Sequence, residues 1–180
     1  MQTTTQSPQD TARYIISLYN QYGGEDYIGE PVSQLEHMQQ CAQLAEQEGY
    51  DEEVVLPVQH MDGFGIVDHE KLGADFLRSQ GFSEKIAQLV QNHVEAKRYL
   101  TFRYPEYYEK LSEASKRTLE FQGGRMTAEE AAAFEADPLY ELHIKLRRWD
   151  EGAKLEHQPL QPMLYYESMM VRHLQQTIPH

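Results

Sequence analysis

The spacing of apolar residues constrains this chain most. They recur at intervals of three and four almost throughout, and period-2 alternation is almost absent. A 3.6-residue repeat gathers such positions on one helix face, so the sequence predicts an all-α domain of packed helices. Punctuation divides it. A first helix over 9–22 stops at Gly23-Gly24, and Pro31 and Ser33 precede a second from Gln34 to Glu48. Gly49 ends that helix, and Asp51 caps a segment carrying Val54, Val55 and Leu56. Further helices are predicted from Asp68 to Gln80, from Ser83-Glu84 to Leu100, and as one or two segments within 103–124. A short helix behind Thr127, one from Pro138 to Asp150 and one over 161–176 complete the set.

One domain covering 1–180 is expected, because 180 residues at 40% hydrophobic content can bury a sizeable core. No apolar run approaches the ~20 residues of a membrane span. The N-terminus "MQTTTQSPQD" lacks the basic start and apolar stretch of a secretory signal. The single cysteine, Cys41, excludes an internal disulfide and fits a reducing, cytoplasmic setting. A formal charge of −13 argues against nucleic acid as a partner. Anionic small molecules remain open only where Lys and Arg cluster locally.

Several polar residues share helix faces with the core. His37 lies one turn before Cys41, His69 three residues before Leu72, and His93 one step beyond Leu89 and Val90. Lys97 follows His93 by a turn, and Arg147 and Asp150 sit at the end of the Leu139, Leu142, Leu146 face. Taken singly, each is more often a core or surface residue than a ligand. Three inward histidines and an aspartate from four helices are costly to bury without a purpose, and the mixture of imidazole and carboxylate suits Fe, Mn or Zn. His143, His157, His173 and His180 stand in weaker contexts and read as structural or solvated.

At these residues the chain resembles the HD-domain superfamily, a fold of bundled helices. Within it, the chain is similar to the small mixed-valent di-iron oxygenases that cleave the carbon–phosphorus bond of 1-hydroxy-2-aminoethylphosphonate, relatives of myo-inositol oxygenase. The matching stretches are "DYIGEPVSQLEHMQQCA", "VDHEKLGADFLRSQGFSEKIAQLVQNHVEAKRYL", "LSEASKRTLEFQGGRM" and "LRRWDEGAK". The resemblance implies two iron ions, Fe(II) and Fe(III), held in part by His37, His69, His93 and Asp150. It implies that Lys97, Ser115 and Arg147 hold the phosphonate, with donors that suit a dianion. Tyr27 is implied to cover an iron before substrate arrives, and Glu30 to meet the substrate's amino end. Tyr27 and Lys97 are thus the expected catalytic residues. The implied reaction consumes O2 and releases a carboxylate, glycine or glycine betaine, and inorganic phosphate. The alternatives are an HD-type metal-dependent phosphohydrolase and an inactive homologue; the oligomeric state stays open.

The chain departs from this pattern at one place. The superfamily's adjacent His-Asp pair, which bridges both metals, is expected soon after a segment like "EEVVL". Here "EEVVL" runs directly into "PVQHMDGFG", and no His-Asp dipeptide occurs anywhere. Three accounts compete: a stretch missing from the sequence as read, a true deletion, or substitution of the pair by His60 and Asp62. The first is favoured because both flanks keep the pattern, and the last is weakest because its glycine-rich surroundings read as a loop.

Overall fold

Helix α2 (Gln34–Gln47) starts at a fixed place for a local reason. Ser33 Oγ accepts from the Glu36 N–H at 3.2 Å, and the Glu36 carboxylate accepts from the Ser33 N–H at 2.8 Å. This reciprocal cap satisfies two donors that a helix start leaves without partners. The same device, Thr127 with Glu130, opens α9. A computed structural model describes residues 6–27, 30–58 and 69–177; the side chains of Pro57, Val58 and His69 also lie outside the described residues.

The helices are α1 (Pro8–Tyr22), α2 (Gln34–Gln47), α3 (Glu52–Val58), α4 (His69–Ser79), α5 (Glu84–Gln91), α6 (His93–Arg103), α7 (Pro105–Lys110), α8 (Glu113–Phe121), α9 (Ala128–Glu135), α10 (Tyr140–Gly152) and α11 (Met163–Thr177). Among the described residues there is no strand, only an isolated bridge between Asp26 and Ser33. The fold is all-α, as the spacing predicts. No described helix is long and apolar enough to cross a membrane.

The larger core gathers Ile15, Cys41, Leu56, Leu77, Ile86, Leu89, Leu146, Trp149 and Met170. Helix α2 packs on α3 and α10, α10 also on α6, and α1 on α11. A second, smaller core joins Tyr99, Leu100, Met126, Phe134 and Ile144 where α6 meets α9. Helix α10 spans both, with Leu146 in one and Ile144 in the other. Truncating fully buried Leu146 to alanine would cost about 2–5 kcal/mol.

Two expectations need correction. The helix predicted over 84–100 is two helices, parted at Asn92. Two polar contacts explain the break. Asn92 Nδ2 lies 3.3 Å from His143 Nε2, and His93 Nδ1 lies 2.8 Å from the Val90 carbonyl, which a continuous helix reserves for the N–H of Val94. On α4 Ala74 and Leu77 are buried and Phe76 packs against the core, while Leu72, expected on that face, is exposed. Helix α3 runs through Pro57 to Val58, so Leu56 and Pro57 are consecutive helical residues. Sequence and backbone are continuous at the place of the shortfall.

Candidate active site

Helices α2 and α10 bring two of the expected ligands together. His37 is 1% exposed and Asp150 2%. His37 Nδ1 lies 2.7 Å from the Ala153 carbonyl, and its Nε2 lies 3.0 Å from Asp150 Oδ1. A carbonyl only accepts, so Nδ1 carries a hydrogen and donates it. Nε2 then faces a carboxylate, which also only accepts. That contact is attractive if Nε2 is protonated or if a cation is shared between the two atoms. Two ligands ~2.1 Å from one metal at a right angle stand about 3.0 Å apart. A histidine whose remote nitrogen is fixed on a backbone carbonyl is the usual arrangement of a metal ligand. The imidazole and carboxylate therefore fit one end of a metal site. His93 is wired in the same way, with Nδ1 donating to Val90, and it is buried at the start of α6.

Arg147 borders this pair. Its Nη1 makes an ion pair with Asp150 Oδ2, and its Nε lies 3.0 Å from both Glu151 Oε1 and Tyr107 Oη. The Tyr107 hydroxyl also donates to Glu151. Arg147 Nη2 is buried without a hydrogen-bond partner among the described residues. Burial raises the Asp150 pKa, but the Arg147 guanidinium and the His37 imidazole outweigh it and hold the carboxyl well below the usual range. Asp150 is thus an anion at any working pH.

Lys97, 4% exposed, donates to Thr118 Oγ1 at 2.9 Å. Burial, and then the charge of Arg147, push its pKa down to about 7. A buried ammonium bonded to a neutral hydroxyl, beside a guanidinium with a partnerless nitrogen, is a site that an anion would complete. Ser115 is half-buried in the first turn of α8; its N–H donates to the cap Ser112 and its carbonyl accepts from Thr118. It is tied to Lys97 through Thr118.

Tyr27 stacks on the His37 ring with centroids 4.2 Å apart and planes 11° apart. Its N–H donates to the Val32 carbonyl, and the Glu30 N–H donates to the Tyr27 carbonyl at 2.8 Å. Glu30 in turn accepts from Lys154 Nζ at 2.6 Å. The structure thus brings His37, Asp150, Arg147, Tyr27 and Glu30 into one connected region. The side chain of His69, and all of His60 and Asp62, lie outside the described residues. No group of three or more His, Cys, Asp or Glu among the described residues could hold a metal.

Sequence reasoning missed Tyr107, Thr118, Glu151 and Lys154. A signal existed for two of them: Glu151 lies four residues after Arg147, and Lys154 four after Asp150. Tyr107 reaches the site across space from α7 and left no mark in spacing.

No family model matches the chain. It is 41% identical to the [1-hydroxy-2-(trimethylamino)ethyl]phosphonate dioxygenase (glycine-betaine-forming) of Leisingera caerulea, over 78% of this chain and 79% of that protein. The chain belongs to the phosphonate dioxygenase family. A second member, the hydroxymethylphosphonate dioxygenase of Gimesia maris, is 33% identical over 84% of this chain and 82% of its own length. A protein of Acanthamoeba polyphaga mimivirus, uncharacterized protein L432, is 42% identical over 91% of this chain and 81% of its own.

The three matches span 178, 155 and 167 positions but draw on 91%, 78% and 84% of the 180 residues here, so each relative carries about fifteen residues with no counterpart in this family member.

Proposed function

We propose that this protein is an oxygenase that cleaves the carbon–phosphorus bond of a 1-hydroxy-2-(amino or trimethylammonio)ethylphosphonate. The products are glycine or glycine betaine and inorganic phosphate. Both atoms of O2 enter products, one in the carboxylate and one in the phosphate. The observation that carries this reading is the convergence of a His37–Asp150 pair with the cations Lys97 and Arg147 in one buried region.

Two irons, Fe(II) and Fe(III), are the proposed cofactor, with His37 and Asp150 at one iron and His69 and His93 at the other. Bound iron would supply the activation of O2. The chain's own side chains do the rest. Lys97, Arg147 and Ser115 bind the phosphonate; the partnerless Arg147 Nη2 is placed to take one of its oxygens. Taking a dianion restores the full charge of Lys97, because an anion favours the ammonium. Tyr107 and Glu151 fix the guanidinium on its Nε side, so that its free edge has one orientation. Tyr27 lies against His37 and withdraws when substrate enters; Glu30 meets the amino end.

The test is phosphate release from the 1-hydroxy substrate with iron, in air and without oxygen. Release confined to the aerobic sample supports the reading, and equal release in both overturns it. One observation favours a second reading, a phosphonate-binding homologue without turnover: no adjacent His-Asp pair follows Leu56. Calorimetric binding without phosphate release identifies that case.

A further inference from the structure

The ion pair between Glu30 and Lys154 is unusual in where it sits. Both side chains are largely buried, 11% and 17% exposed, and their atoms are 2.6 Å apart. Lys154 follows the last turn of α10, four residues after Asp150. Its Nζ also lies over the Tyr27 ring, 5.7 Å from the centroid, and that ring is stacked on His37. The Glu30 N–H donates to the Tyr27 carbonyl, so Lys154 holds both residues against the end of α10.

In the functional reading above, on which this inference rests, Glu30 is the partner of the substrate's amino end. Here one oxygen of that carboxylate already carries an ammonium. A substrate with a primary ammonium brings N–H donors and can share the carboxylate through its other oxygen, since a carboxylate accepts at about four positions. A trimethylammonium brings none. Its methyl groups hold the nitrogen about 4–5 Å from any oxygen, so Coulomb attraction to Glu30 falls while repulsion from Lys154 remains. Such groups are held mainly by open aromatic faces. The ring that borders this pair, Tyr27, already has the Lys154 ammonium over it.

We propose that Lys154 is a specificity-determining residue, which by occupying Glu30 and Tyr27 admits a primary ammonium and disfavours a trimethylammonium at the far end of the phosphonate. The chain would then differ in this respect from its glycine-betaine-forming relative.

The experiment uses analogues that lack the 1-hydroxyl and cannot react: methylphosphonate, 2-aminoethylphosphonate and 2-(trimethylamino)ethylphosphonate, titrated calorimetrically into the full chain. We expect the aminoethyl compound to bind at least about tenfold more tightly than the trimethylated one, about 1.4 kcal/mol. Lys154→Met should narrow that ratio to below about threefold, chiefly by tightening the trimethylated ligand, with methylphosphonate little changed. Equal or tighter binding of the trimethylated ligand by the unaltered chain overturns the inference, whether or not the variant folds. An unchanged ratio in a Lys154→Met or Lys154→Gln protein with a native circular dichroism spectrum overturns it too. The oxygenase reading fails separately: the expected binding order with no oxygen-dependent phosphate release leaves Lys154 its role and removes the turnover, and turnover with the reverse order does the opposite. No binding of any of the three overturns both.

Discussion

Two seams of this molecule each bury a histidine, and they use it in opposite ways. Where α2 meets α10, His37 gives its Nδ1 hydrogen to a backbone carbonyl and turns Nε2 toward a carboxylate. Where α11 meets the residues just before α5, His173 Nε2 accepts the Ser83 N–H at 3.2 Å, and the ring stacks on Phe82. The first ring is anchored to the backbone through Nδ1 and turns Nε2 to Asp150. The second spends its lone pair on the scaffold. Burial alone does not separate a ligand from a strut; the backbone partner of each nitrogen does.

The comparison can be sharpened first by restoring what this chain lacks. A graft of the relatives' additional residues between Leu56 and Pro57 should raise bound iron to two per chain, with oxygen-dependent phosphate release rising alongside. Elemental analysis and a phosphate assay follow it, and no gain in iron would place the shortfall elsewhere. Next in size, His37→Ala should weaken metal binding about 100-fold or more, whereas His173→Ala should leave it unchanged. Titration of both variants with Zn(II) under argon measures this, and equal losses would dissolve the distinction drawn between the seams. His173→Ala should instead destabilise the fold by about 1–3 kcal/mol in urea, because it leaves the Ser83 N–H without its acceptor.

A smaller effect concerns the cations. Lys97, pushed down to about 7, is an ammonium below that pH and neutral above it. Anion binding needs the ammonium, so metal-free protein should lose sulfate affinity as pH rises from 7 to 9. The loss should not exceed about tenfold per unit, and Lys97→Arg should flatten it. Sulfate keeps its charge over this range, so a flat profile for the unaltered chain would show that Lys97 is not the responsible group.

Much of the fold was legible because helical spacing, caps and glycine stops are local signals. His37, Lys97, Arg147 and Asp150 were legible for the same reason, each sitting where a polar residue interrupts an apolar face. The parting at Asn92 was not, because it depends on His143, a residue 51 positions away in sequence. Leu72 misled because it keeps the right period on a face that turns outward. Tyr107 was illegible as a site residue, since its partner, Arg147, is distant in the chain.

The bend at Asn92 carries a consequence for how this protein can vary. The aim of the His93 ring is tied to the path of the main chain through the Val90 carbonyl. An exchange of Asn92 for a strong helix former such as alanine would invite the two segments to fuse into one rod. It would swing the imbedded ring out of line and alter the chemistry from a position that touches no reactant.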